Sequence, residues 1–427
     1  MGYSVGIVGG GAAGMAAAVT AAGQGAAVTV LEGNDRLGKK ILSTGNGKCN
    51  LGNENLDPGN YHTCSPAFLE ACLRRFDTRS TIDFFQGMGL TVKSRKGGLY
   101  PLSEQAASVL DVLRYEVRRL GVEVVTECRV RHVESLEGAG KGRRRRIRVT
   151  GDGKVRDFDR VILACGGRAA PRSGSDGSGY RIAEKLGHRL VPVVPALVQL
   201  KCGEDYFKSV AGVRAEAAVS LWNQGEASAR ERGEVQLTDY GISGIPVFQL
   251  SRTANYILRD KGTPQVHMDF FPDYSEEAYD ALIRGRDWLR EGRTVEEFFA
   301  GLLHKKLMLL FIRLSGLRAV EDARRADPRK LDRVYRLCRD WQVSVTGSNS
   351  YENAQVCAGG VPLGEVTEDM ESVKVPGVYF AGEILDVDGR CGGYNLHWAW
   401  CSGHIAGMAA SGHGSCPSRD RKEIHPC

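Results

Sequence analysis

Short apolar runs alternate with longer amphipathic ones along the chain, and their order predicts an α/β fold. Val5, Ile7 and Val8 form a β-branched run of the kind a buried strand carries. Ala12 to Ala22 reads as a helix, and Ala27 to Leu31 as the next strand. Phe68, Leu69, Cys72, Leu73 and Phe76 recur at helical spacing, continued by Ile82, Phe84, Phe85 and Met88. Gly97 to Pro101 reads as a turn, and a helix follows over about Glu104 to Leu120. Val122–Val125 and Val130–Val133 are strand-like, and Val161–Gly167 (VILACGG) reads as a buried strand ending in paired glycines. A helix over Tyr180–Leu186 comes next.

From residue 191 the pattern changes. Strand-like segments at Val193–Leu200, Ala217–Trp222, Glu234–Thr238 and Gln265–Phe270 precede a charged helical block from Ser275 to Asp340. That block places Leu302, Leu303, Leu307, Leu310, Phe311 and Leu314 on one face. The glycine-rich style returns near Val356, with a strand over Gly377–Glu383 and a helix over Leu396–Met408. The expected fold is a Rossmann-like α/β domain, residues 1–190 and 351–410, interrupted by an inserted domain at 191–350. The insert has a small β-barrel-like part, about 191–272, and a helical part, about 275–340. Residues 411–427 are polar and expected to be a disordered tail.

Composition narrows the class. At 427 residues the chain exceeds one ordinary core, so two or three domains are expected. An apolar content of 42% with 25% charged residues excludes a disordered chain. No apolar run approaches the roughly 20 residues of a membrane span. No basic segment leads into a cleavable apolar one at the start, so a cytoplasmic protein is expected. The 12 cysteines include no C-x-x-C, which argues against a zinc site and a dithiol reductase.

The chemistry lies in the first thirty residues. Gly9, Gly11 and Gly14 follow the first strand in the order G-x-G-x-x-G and open the alanine-rich helix with Ala12 and Ala13. Glu32 closes the second strand, 18 residues past Gly14. This is the dinucleotide fingerprint. Gly9 permits the tight turn, Gly11 lets backbone approach a pyrophosphate, and Gly14 allows close helix–strand packing. The pyrophosphate sits on helix N-terminal N–H groups. Glu32 accepts from ribose hydroxyls and would repel a 2′-phosphate. These residues alone leave FAD and NAD both open.

Other segments carry weaker signals. Gly38–Asn53 is polar, glycine-rich and basic, with Lys39, Lys40 and Lys48. Gly174, Gly177 and Gly179 precede a helix without completing a second fingerprint. Arg143–Arg146 reads as a solvated hairpin tip; a polyanion contact is the competing reading, and no aromatic residues interleave with it.

Together five blocks resemble the bacterial HI0933-like or BaiN-like flavoproteins, within the two-dinucleotide-binding superfamily. They are Gly9–Gly14 with Glu32, Lys40–Asn53, Gly98–Ser103, Gly233–Gly244 and Gly377–Gly403. The resemblance implies FAD. The fingerprint would hold the pyrophosphate, with Glu32 and Gly33 at the adenosine ribose and Val130 offering backbone to the adenine. Lys40 and the loop Ser43, Gly45, Gly47, Lys48, Cys49 and Asn50 would lie beside the isoalloxazine. Ala164 and Gly166 would border the cofactor, and Gly382 and Glu383 would take its ribitol or pyrophosphate side. Gly392, Gly393, Tyr394, Asn395 and Leu396 would aim helix N–H groups at flavin N1 and O2.

The chain departs from the family pattern at Lys48, usually arginine, at Asp239, usually histidine, and at Cys357, usually threonine. These departures bear on substrate chemistry rather than on FAD. Catalytic candidates are Cys49, Tyr394 and His397. Asp386 and Asp388 would orient a loop or face solvent, and Tyr240 would line a substrate cavity. NADH or NADPH would dock transiently, because only one fingerprint is complete. The implied function is an FAD-dependent oxidoreductase reducing an activated C=C bond of a small, steroid-like molecule. The competing readings are an amine oxidase of the aminoacetone type, an RNA-binding or RNA-modifying flavoprotein, and a flavin-binding regulator. The expected partner is a small molecule, with no membrane and no nucleic acid.

Overall fold

The structure is a computed structural model and describes residues 2–136 and 146–413. Two compact units divide the chain. One takes it up to Val193 and again from Ala358, and the other is Val194–Cys357.

The first unit is built on a five-stranded parallel sheet: β1 Ser4–Val8, β2 Ala27–Leu31, β3 Glu123–Val125, β4 Arg160–Leu163 and β5 Val378–Phe380, in the order β5-β4-β1-β2-β3. Val8 stands in register with Leu31 on one side and Leu163 on the other. The strands are short and apolar because both faces are covered; Val5, Ile7, Val161, Ile162 and Leu163 have no exposed surface. Two helices carry the site. Helix α1, Ala12–Gly23, is alanine-rich because it lies in the core, with Ala16, Ala17, Ala18 and Ala21 fully buried. Helix α2, Tyr394–Met408, packs across it.

The order of strands reverses between β1 and β4, and the loops leaving their carboxyl ends face one crevice. That is where an open parallel sheet binds ligands.

Some boundaries differ from the sequence reading. Gly98–Pro101 is a strand, not a turn. It pairs with Val92–Arg95 and Gly52–Asn53, and the turn is Lys96–Gly97, both at positive φ. Val130–Leu136 joins Arg146–Gly151 and Lys154–Phe158 in an antiparallel sheet. Most of the arginine run and the tail from residue 414 lie outside the described residues. Arg146 opens a strand.

The second unit closes a six-stranded barrel from Leu200–Cys202, Gly241–Ser243, Glu226–Leu237, Arg214–Asn223, Gln265–Asp269 and Trp341–Ser348. Alternation turns Ala217, Val219 and Leu221 into its core, and likewise Trp341, Val343 and Val345. The helical part has its own contacts with that core through Phe298, Phe299, Leu307, Phe311 and Val334. Leu302 and Leu303 lie outside the helix: Lys305–Leu314 starts after them, and His304 caps it by accepting from Lys306 N–H at 3.2 Å. Among the described residues no helix is long and apolar enough to cross a membrane.

Candidate cofactor-binding site

The fingerprint glycines have distinct steric reasons. Gly9 has φ +102°, and a Cβ there would stand 2.5 Å from Ala164 O. A Cβ on Gly14 would stand 1.9 Å from Gly9 O. Both glycines are required by the fold itself. Gly11 differs, because a Cβ there would meet nothing within 4 Å. Gly11 is the N-cap of α1, makes no side-chain cap bond, and no acid lies in the first turn. The N–H groups of Ala12, Ala13 and Gly14 thus open onto empty space at a positive helix end. That cradle fits a pyrophosphate.

At the end of β2, Glu32 is buried and fully oriented. Its Oε2 accepts from Gly10 N–H at 2.8 Å. Its Oε1 accepts from Asn34 N–H at 2.8 Å and from Asn34 Nδ2 at 2.7 Å. Three donors leave about one of the four lone-pair directions of a carboxylate. Arg129 crosses over Gly33, whose built Cβ lies 3.8 Å from Arg129 Cα. Cys128 N–H donates to Glu32 O at 2.9 Å, which brings Val130 to the same edge.

The Gly382–Glu383 pair lies at the start of α1. Gly382 has φ +79°, and its built Cβ would stand 2.8 Å from Ala13 Cβ. Ser402 Oγ accepts from Gly382 N–H at 2.8 Å. Glu383 Oε2 meets Lys40 Nζ at 2.9 Å and accepts from Gly167 N–H at 3.3 Å. Gly166 lies next to this carboxylate, its built Cβ 3.9 Å from Oε2. The Lys40–Glu383 pair joins two segments far apart in the chain, and nothing in their local pattern announces it.

The loop Lys39–Gly47 is a kinked 3₁₀ segment, with Gly45, Asn46 and Gly47 at positive φ. Ser43 Oγ donates to Lys40 O at 2.9 Å, so this hydroxyl serves the loop. Lys48 Nζ pairs with Glu104 at 2.8 Å, as does Lys93. Arg95 approaches the same carboxyl at 3.4 Å, and the hydrogen bonds from Lys48 and Lys93 hold Glu104 down to about 2. Cys49 is wholly buried, and burial pushes its thiol up to about 12. A thiol, not a thiolate, occupies the position.

Asn50 Oδ1 is buried with no hydrogen-bond partner. It faces the N-terminus of α2, 2.6 Å from where a Cβ on Gly393 would be. Gly392 and Gly393 have φ +133° and +97°, and the cap of α2 makes no side-chain bond. An orphaned buried oxygen beside an uncapped helix start fits a group that donates and accepts, as the flavin pyrimidine ring does.

Around that start, Tyr394 is buried edge-on against Tyr61, and Tyr61 OH donates to Tyr394 O at 3.2 Å. Asn395 accepts from Gly389 N–H at 2.8 Å and donates to Gly389 O at 2.7 Å; its side chain pins a loop. Leu396 is partly buried against the core. His397 is fully buried. Its Nε2 lies 3.0 Å from Phe76 O, a pure acceptor, so Nε2 carries the proton. Nδ1 then accepts from Thr81 Oγ1 at 3.1 Å. Burial holds the ring down to about 4. Both nitrogens are engaged and the ring is neutral, which suits a structural post rather than a proton relay.

Asp386 and Asp388 are buried, at 1% and 3% exposure, rather than facing solvent. In the barrel unit, Tyr240 is exposed and its OH accepts from Asn349 Nδ2 at 3.0 Å. Among the described residues no cluster has the composition of a metal site.

The model of the HI0933-like protein Rossmann domain matches residues 3–409. A 3-dehydro-bile acid delta(4,6)-reductase of Clostridium scindens is 44% identical over 410 residues, covering 95% of this chain and 98% of the reductase. A ribosomal RNA dihydrouridine synthase of Haemophilus influenzae is 28% identical over 414 residues, with 95% and 98% coverage. One of Escherichia coli is 28% identical over 401 residues, with 93% and 95% coverage.

Proposed function

The chain belongs to the HI0933-like family, and on that footing we propose that it is an FAD-dependent reductase of a C=C bond conjugated to a carbonyl in a steroid-like molecule. One observation carries the reading. The site, from Gly9 to Leu396, lies within the family's span of residues 3–409, and a bile acid reductase is 44% identical over 95% of the chain.

FAD, when bound, supplies a hydride to the β-carbon of such a substrate. The chain's residues do the rest. Gly11 and the first turn of α1 would hold the pyrophosphate, and Glu32 the adenosine ribose. Lys40 and Glu383 would border the ribitol. The N–H groups at the uncapped start of α2 would meet the pyrimidine edge and stabilise negative charge there, and Asn50 Oδ1 would accept from a ring N–H. The α-carbon of the substrate needs a proton. His397 and Cys49 are poor donors, since the first has no spare nitrogen and both are buried. We assign that proton to solvent water. NADH or NADPH would reload the flavin without a Rossmann site of its own.

The experiment is an anaerobic titration of the flavoprotein with each nucleotide, followed by an enone steroid. Bleaching of the flavin and its recovery with loss of enone absorbance support the reading. Reduced flavin that no enone reoxidises overturns it.

A second reading has a specific support. Dihydrouridine is uridine saturated at a C=C bond conjugated to a carbonyl, so the 28%-identical synthases suggest kindred chemistry on RNA. Arg131, Arg146, Arg148 and Arg156 each pair with a carboxylate, which weakens the case for a phosphate-binding face there. Dihydrouridine formed in unmodified ribosomal RNA by the purified protein would favour this second reading.

A further inference from the structure

The loop that follows β4 does something beyond the fingerprint. Residues 173–177 run across the crevice, and each makes a contact with one of its borders. Ser173 O accepts from Asn34 Nδ2 at 3.2 Å, and that same nitrogen donates to Glu32. Gly174 lies over the carboxylate, its built Cβ 3.8 Å from Glu32 Oε1 and 2.4 Å from Asn34 Nδ2. Ser175 Oγ stands 2.7 Å from where a Cβ on Gly166 would be. Asp176 Oδ2 meets Arg129 Nη1 at 2.7 Å. Gly177 N–H donates to Gly167 O at 3.0 Å.

Glu32, Asn34 and Arg129 border the end of β2, whereas Gly166 and Gly167 follow β4. Between these strands lies β1, whose end is the fingerprint turn. Segment 173–177 therefore bridges the two borders over the place where an adenosine attached to that pyrophosphate must lie. Its course depends on left-handed backbone at Gly174 and Gly177, φ +111° and +79°.

We infer that residues 173–177 are a strap over the adenosine half of the FAD site, latched by Asn34 to Ser173 O and by Arg129 to Asp176. Asn34, Arg129 and Asp176 are positioning residues: they set how fast the dinucleotide enters and leaves. The latch can yield because the ion pair is partly solvated; Arg129 retains 49% of its side-chain exposure and Asp176 retains 24%. The inference rests on FAD being the cofactor.

The test compares FAD release and uptake, followed by flavin fluorescence, in the reconstituted holoprotein and in Arg129→Ala, Asp176→Asn, Asn34→Ala and the exchanged pair Arg129→Asp with Asp176→Arg. The expected result is release faster by about threefold to tenfold in the single variants, the range for losing a half-exposed pair or a neutral hydrogen bond. Uptake should also quicken, since an opened strap no longer obstructs entry. The exchanged pair should bring release back toward the parent rate. A purely structural role would lower thermal stability while leaving release unchanged, and that overturns the strap. Release that the exchanged pair fails to slow, in a protein of parent stability, also overturns it. Protein that takes up no FAD sinks the cofactor assignment itself, whereas bound FAD with parent release rates sinks only the strap.

Discussion

Gly403 of α2 lies directly on the backbone of α1: a Cβ there would stand 2.4 Å from Ala13 O. One turn on, a Cβ at Gly407 would stand 2.7 Å from Ala17 O. The helix opened by the fingerprint glycines and the helix that follows Gly392 and Gly393 therefore touch main chain to main chain. Gly403→Ala forces them apart. The expected cost is about 1–3 kcal/mol of stability, as for other overpacked cores. Urea unfolding of the apoprotein measures it, and weaker FAD binding should accompany it.

Glu32→Ala removes a carboxylate that three donors already orient. Losing a charge-assisted bond to the ribose costs about 1.5–3 kcal/mol, or about tenfold to a hundredfold in Kd for FAD. Titration of apoprotein with FAD gives the number. Glu32→Gln should fall between the two, since an amide accepts on one side only.

The fingerprint was legible because its meaning is local: strand, three glycines, helix and acid fall within thirty residues. The expected barrel-like part was legible from alternation at Ala217, Val219 and Leu221, but its closing strand was not. Trp341–Ser348 follows the whole helical block and returns to pair with Gln265–Asp269 and Leu200–Cys202. Local pattern carries no record of such a distant partner. Asn34 escapes the local pattern too, though a polar side chain two residues past the acid is a signal that points to it. Paired glycines look like loop, so the sequence reading starts the helix at Leu396. It begins at Tyr394 because Gly392 and Gly393 take the positive φ that turns the chain straight into the helix.

Cys49 offers a contrast between reactivity and position. A thiol held at about 12 by burial carries almost no thiolate at neutral pH. It should resist iodoacetamide in the native holoprotein, as peptide mass mapping would report. Cys49→Ala should keep most of the turnover, with a stability loss of about 1 kcal/mol from the small cavity. Turnover abolished in a folded, FAD-loaded Cys49→Ala protein would restore a chemical role.

His397 makes the sharpest pH prediction. Burial holds its ring down to about 4, below the 6.5 of an exposed histidine. His404, half-buried against Phe76, is held to about 4 as well. In each case the unfolded chain binds the proton first, so stability is full above about 6.5 and drains as pH falls toward 4. For His397 the shift corresponds to a loss on the order of 3 kcal/mol across that window. Urea midpoints measured between pH 7.5 and 4.5 should therefore fall steadily. His397→Gln should be less stable at neutral pH, since its bonds to Thr81 and Phe76 are disturbed, yet its stability should fall less steeply, by about one proton. The pH profile of flavin reduction should remain that of the parent. A changed kinetic profile with an unchanged stability slope would reverse the assignment and return the histidine to the chemistry.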